Sequence, residues 1–155
     1  GRDFPISLRW SQWKQQDYGA RLVTTPEELE RFLLPLSEAG VDIFHCSQRR
    51  FWEAEFEGSD LNLAGWTKKI TGKPSITVGS VSLDADFIPA PGEATFKEAD
   101  PASLDELLRR LEAGEFDLVA VGRAMIANPD WAQVVRGGET TGLQAFRKEM
   151  LAALD

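Results

Sequence analysis

Cysteine, histidine and tyrosine are almost absent from this chain: each occurs once in 155 residues. A single Cys excludes an internal disulfide and fits a reducing compartment. One His and one Cys supply too few nitrogen and sulfur ligands for a structural zinc site. Basic residues are in deficit, with 17 Lys and Arg against 25 Asp and Glu and a net charge of −8. That deficit argues against nucleic acid as a partner, because phosphate backbones demand a surplus of cations. No apolar run approaches the roughly 18 to 20 residues of a membrane span. The opening Gly1-Arg2-Asp3-Phe4-Pro5 lacks signal-peptide character. The expectation is a soluble, cytoplasmic protein that meets neither membrane nor nucleic acid. What is present suits a packed core: 43% of the residues are hydrophobic and 27% charged, and residues 1–155 are the length of one domain.

Helical signals alternate with short apolar runs. Thr25-Pro26-Glu27-Glu28 reads as a capping box with Pro at the first helical position. Leu29, Phe32, Leu33 and Leu36 follow as an i, i+3, i+4, i+7 stripe that stops at Gly40. Ser103 to Glu106 reads as a second capping box, with Leu104, Leu107, Leu108 and Leu111 behind it and Gly114 as the stop. Asn128-Pro129-Asp130 opens a short helix ending at Gly137-Gly138. Leu143, Phe146, Met150 and Leu154 predict a last amphipathic helix, and a weaker one covers Leu63 to Ile70. Strands are predicted over 6–10, 42–46, 75–79 and 117–122. Leu118-Val119-Ala120-Val121 is apolar without alternation, as in a strand of a parallel sheet buried on both faces.

Strand and helix thus alternate four times, which predicts α/β architecture with a parallel sheet. A faint repeat agrees. Ala39-Gly40-Val41-Asp42-Ile43 is echoed by Ala113-Gly114-Glu115-Phe116-Asp117-Leu118, each a helix end, a Gly stop and an Asp entering a strand. Four such units make half of a (β/α)8 barrel. Four parallel strands also suit a small open sheet. The stretch 81–101 is long for a βα connection, and long loops at that end of a sheet tend to be functional. A half barrel has two bare strand edges and a bare inner face. The expected cover is a missing N-terminal half barrel or a second copy.

Two strands end in glycine: Val78-Gly79-Ser80-Val81 and Val121-Gly122-Arg123. Glycine lets a ligand approach the backbone, the turn beyond it presents N–H groups, and Arg offers a fork for phosphate. In a barrel both would fall where phosphate is commonly held. Tight turns, with Arg123 pairing a carboxylate, are the alternative. Arg9 sits inside an apolar strand, where it needs a partner: either a structural carboxylate or an active-site anion. His45 is read as a hydrogen-bonded core residue and Cys46 as packing. Arg49-Arg50-Phe51-Trp52-Glu53 reads either as a grip for an anionic tail or as a surface loop with pinned aromatics. Lys68-Lys69 reads as a solvated helix face, and Trp13 and Tyr18, on the first βα loop, read either as part of a barrel's active-site mouth or as rim packing.

The run Asp117 to Trp131, DLVAVGRAMIANPDW, resembles the end of the barrel in the Old Yellow Enzyme family of FMN-dependent NAD(P)H oxidoreductases. Leu8-Arg9-Trp10-Ser11, Gly40 to Ser47 and Thr77-Val78-Gly79-Ser80-Val81 resemble its fifth, sixth and seventh strands. The resemblance covers essentially the whole chain and implies the C-terminal half of a TIM barrel that binds FMN at the carboxyl ends of its strands. NAD(P)H is then the hydride donor and a small activated alkene the acceptor. It implies that Arg9 faces the pyrimidine side of the flavin. It also implies that Val78, Gly79, Ser80, Gly122 and Arg123 belong to the cofactor site, the last four around the phosphate. The family's first four strands have no counterpart here, nor do its substrate-holding His pair and Tyr proton donor. The chain is therefore expected to be a fragment that is inactive alone. A self-associating, non-catalytic half-barrel module and another phosphate-binding barrel enzyme are the competing readings. No strand-end Lys or acid–base pair supports the second of these.

Overall fold

The computed structural model describes residues 3–14, 17, 19–86 and 98–153. Strands β1 (Ser7–Ser11), β2 (Ile43–Ser47), β3 (Ser75–Val78) and β4 (Leu118–Val119) form one sheet in the order β1-β2-β3-β4. Every pairing is parallel, with Arg9 beside His45, Cys46 beside Thr77 and Thr77 beside Val119. A sequential order without reversal is barrel-like; a doubly wound sheet would reverse midway.

Side chains alternate across the sheet. Trp10, Phe44, Cys46 and Thr77 are buried, whereas Arg9, His45 and Ile76 between them are not fully so. The buried face meets two helices, α1 (Pro26–Glu38) and α2 (Leu63–Thr71). Trp10 packs on Phe32 of α1 with ring centroids 5.2 Å apart, and the Cys46 thiol lies 3.3 Å from Thr67 Oγ1 on α2. The two helices also pack on each other, which places both on one side of the sheet. The opposite face carries Arg9 and His45 among Ile43, Ile76 and Leu118. It is mixed rather than uniformly apolar, and Leu118 is 50% exposed.

The repeated Gly-to-Asp pattern has a physical role. Asp42 accepts the N–H of Ile6 at 2.8 Å and Asp117 accepts that of Ser75 at 3.0 Å. Each Asp caps the start of the neighbouring strand on the amino-terminal side in sequence, satisfying a donor the ladder leaves over. Lys68 bridges Asp117 at 2.8 Å and the Gly114 carbonyl at 2.9 Å, so it ties α2 to β4 rather than decorating a solvated face. Lys69 stands over the Trp66 ring at 4.5 Å.

Helix starts differ from the sequence reading in instructive ways. Thr25 caps α1 by accepting the Glu28 N–H, but the Glu28 carboxylate returns to the N–H and hydroxyl of Thr24 at 2.7 and 2.9 Å. At α3 (Asp105–Glu112) the second capping box does not form. Ser103 accepts the Asp105 N–H, and Glu106 turns to Arg109 and Arg110. Two guanidiniums offer a carboxylate more than one backbone N–H does. Two short helices follow β4: α4 (Arg123–Ala127), which the sequence reading missed, and α5 (Trp131–Gly137), capped by Gly138 at φ 78°.

The expected helix over Leu143 to Leu154 is a 3-10 segment at Lys148–Ala153, and Leu154 lies outside the described residues. Residues before it are extended because Asn128 claims both backbone groups of Gln144, accepting its N–H at 2.7 Å and donating to its carbonyl at 3.1 Å. A side-chain amide used this way competes with a helical ladder. Phe146 then bridges antiparallel to Ala99 and is fully buried.

Residues 81–86 and 98–101 form a clamped base to the long connection. The N–H of Asp84 donates to Asp100 O at 3.1 Å and that of Ala102 to Ser82 O at 3.0 Å. Residues 87–97 lie outside the described set.

Candidate functional site

The carboxyl ends of all four strands surround a cavity of about 360 Å³, a volume within the range of small-molecule sites. Arg9, Val78, Gly79, Ser80, Gly122 and Arg123, the six residues singled out in the sequence, all line it. Trp13 lines it as well, while Tyr18 falls outside the described residues.

The two strand-end glycines do different work. A Cβ on Gly79 would stand 2.7 Å from Gln48 O and 3.0 Å from Arg49 O, and its φ of 135° is a region L-residues rarely adopt. Gly79 therefore lets the end of β3 press against the backbone leaving β2, and its carbonyl accepts the Phe51 N–H at 3.1 Å. A Cβ on Gly122 would meet nothing within 4 Å. That side of the backbone stands open, and the first N–H groups of α4 next to it have no partner within their helix. Ser80 and Ser82 have φ of 49° and 61°, conformations that non-glycine residues hold only when their surroundings impose them. The Ser80 hydroxyl lies within hydrogen-bond reach of Arg49 O and Ala85 O, at 3.2 and 3.1 Å.

Three guanidiniums and one carboxylate line the cavity: Arg9, Arg49, Arg123 and Asp86. Arg9 donates to Ser47 Oγ at 3.3 Å. Arg123 lies 5.7 Å from the Phe146 ring centroid and donates to Ala85 O at 2.6 Å. Burial lowers its pKa, and the charges of Asp86 and Asp84 offset part of that. Asp86 accepts from Arg49 and pairs with Arg50 Nε at 2.7 Å. Burial pushes its carboxyl up, but the Arg49 hydrogen bond and both guanidinium charges outweigh this and hold it below the ordinary range. The lining thus carries three positive charges and one negative, a local +2 in a chain of net −8.

Arg49, Gln48 and Asp86 were not placed in this site from sequence. The Arg49-Arg50 run hinted at anion binding, and the structure puts Arg49 in the cavity wall; nothing in the sequence pointed to Asp86. His45 lies off the cavity. Its Nε2 is buried with no hydrogen-bond partner among the described residues, so it is not the bonded core histidine expected. Burial, then the Arg9 charge, lowers its pKa. Cys46 is packing: it is buried, and burial pushes its thiol up to about 12. Among the described residues no cluster of His, Cys, Asp and Glu fits a metal ion, and no helix is long and apolar enough to cross a membrane.

No family model matches the chain. It is 31% identical over 146 residues to an NADH oxidase of Thermoanaerobacter brockii, covering 89% of this chain and 19% of that protein. Among solved structures it is similar to morphinone reductase, with a TM-score of 0.58 at 17% identity, over 94% of this chain and 32% of that one. It is also similar to a variant of NCR from Zymomonas mobilis, with a TM-score of 0.51 at 15% identity, over 89% of this chain and 35% of that one. The chain therefore spans about a fifth of the first relative and about a third of the structural neighbours. With its four consecutive βα units in barrel order, the chain is thus similar in sequence to part of an NADH oxidase and shares the fold of part of the morphinone reductase barrel.

Proposed function

We propose that the cavity binds the phosphate end of FMN and that this chain is the flavin-phosphate portion of an NAD(P)H-dependent oxidoreductase. The observation that carries this reading is the local +2 gathered from three strand ends in an acidic chain. A phosphate monoester bears close to two negative charges at neutral pH, and the cavity is complementary to it in sign. Gly122 leaves its side of the backbone open for a ligand to approach. Ser80, Gly79 and Val78 approach from β3, Arg123 supplies a fork, and Arg9 reaches the cavity from the middle of β1, placed to balance negative charge on a ring above it. Bound flavin would supply hydride transfer from NAD(P)H to an acceptor. The chain's own residues hold the phosphate and keep the site electropositive.

The described cavity lining contains no Tyr, His, Cys or Lys to serve as proton donor, and its one carboxyl, Asp86, is held ionised by Arg49 and Arg50. We therefore expect weak flavin binding and no turnover by this chain alone. A longer partner segment or a second copy would cover the mixed face of the sheet and complete the site.

Titration with FMN and with riboflavin, which lacks the phosphate, tests the assignment through flavin fluorescence. FMN is expected to bind at least about tenfold tighter, since charge-assisted hydrogen bonds contribute roughly 1.5–3 kcal/mol each. Arg123→Gln should remove most of that difference. Equal binding of the two flavins would refute the phosphate site.

A further inference from the structure

Two consecutive residues after β3 hold two of the cavity's three cations. Ala85 O accepts Arg123 Nη2 at 2.6 Å, and the Asp86 carboxylate accepts Arg49 Nη2. Asp86 lines the cavity, and its side chain is only 5% exposed. The turn that carries these residues is held by several bonds. Leu83 N–H donates to Ser80 O at 3.1 Å, Asp84 N–H to Asp100 O at 3.1 Å, and Ser80 and Ser82 sit at positive φ.

We infer that residues 83–86 are a built-in stand-in for the ligand's phosphate and regulate the cavity by competing with it. This rests on the phosphate reading above. A carboxylate oxygen and a carbonyl oxygen, one residue apart, hold N–H donors on two different strand ends. Those are the donors a phosphate would take. A dianion and Asp86 in one partly desolvated space repel each other, so the two do not share Arg49. Occupancy of the cavity is thereby coupled to the position of this segment. Ligand draws Arg49 from Asp86 and Arg123 from Ala85. Arg50, 2.7 Å from Asp86, keeps the displaced carboxylate paired. Glu53, 2.8 Å from Arg50, shares that cation in this structure.

Inorganic phosphate is the probe, titrated calorimetrically into the wild-type chain and into Asp86→Asn, Arg123→Gln and the Arg49→Gln/Asp86→Asn pair. Asp86→Asn is expected to bind phosphate about tenfold tighter than wild type, the effect of removing one like charge a few ångströms away. That gain should disappear when Arg49 is also replaced. In wild type, saturating phosphate should speed backbone hydrogen exchange in peptides covering 80–86, the reverse of the protection a ligand ordinarily confers. Asp86→Ser serves in the same assay if the amide variant fails to fold. Binding unchanged or weakened by the Asp86 substitution overturns the inference, and so does slower or unchanged exchange at 80–86. If wild type binds and Arg123→Gln does not, the phosphate site survives that failure. If no variant binds phosphate, both readings fall together.

Discussion

Gly79→Ala should damage the molecule far more than Gly122→Ala, though both glycines end strands and line the same cavity. The added methyl at position 79 would sit 2.7 Å from Gln48 O and 3.0 Å from Arg49 C and O, all backbone atoms. Ordinary contact begins near 3.4 Å, so the backbone leaving β2 must retreat by about 0.7 Å. It is poorly free to do so, because Phe51 N–H bonds to Gly79 O and Asn62 Nδ2 bonds to Phe51 O at 2.8 Å. The φ of 135° adds strain that is essentially tolerable only in glycine. Together these predict a loss of about 3 kcal/mol. For a domain of this size that is a fall of about 6–12 °C in Tm. At Gly122 the space around an added Cβ is open, but φ of −109° with ψ of −99° lies outside the regions L-residues favour. Gly122→Ala should therefore lose on the order of 1 kcal/mol through that strain alone, with no steric clash added, while its methyl faces the proposed phosphate position and weakens FMN binding. Differential scanning calorimetry of both variants, with FMN titrations beside it, is the assay. If Gly79→Ala melts with Gly122→Ala, the close approach of the β3 and β2 ends is not what position 79 requires.

Arg110 is a buried pin: its guanidinium bonds Glu106, Glu115, Trp52 O and Asp60 O. Arg110→Met strands the Glu115 carboxylate, 9% exposed, and should cost about 3–5 kcal/mol in urea unfolding; adding Glu115→Gln should recover much of it. Cys46 should resist alkylation at pH 8 until the chain unfolds, read by mass spectrometry. Its folded pKa of about 12 lies above the ordinary thiol value of 9.0. Between those values the folded thiol keeps its proton while the unfolded one loses it, so stability falls as pH rises. The wild-type stability should drop on the order of 1.4 kcal/mol per pH unit across that window relative to Cys46→Ala; parallel curves would show the thiol is not buried as described.

The element order was legible in the sequence because it depends on local chemistry. Apolar runs bounded by Gly40, Gly72 and Gly114, and leucines at helical spacing, specify strands and helices wherever the chain goes. The strand-end glycines and Arg123 were legible as positions for the same reason, since a glycine after an apolar run marks a tight turn or a close approach at the end of a strand. Choices between competing partners were not legible. Glu106 had a backbone N–H and two arginines within reach, and only the fold showed that Arg110 is buried beside it. Leu143 to Leu154 has a helical stripe, yet Asn128, many residues earlier, claims the backbone of Gln144 and holds the segment extended. Arg49 and Asp86 are 37 positions apart, and no periodicity links them. They meet because β2 and β3 are neighbours with their carboxyl ends level. By itself the sequence determined the alternation of four strands with α1, α2 and α3, and which glycines and arginines lie at the strand ends. The tertiary structure alone decided which charges share the cavity, because burial and proximity across strands set that outcome and neither is a property of adjacent residues.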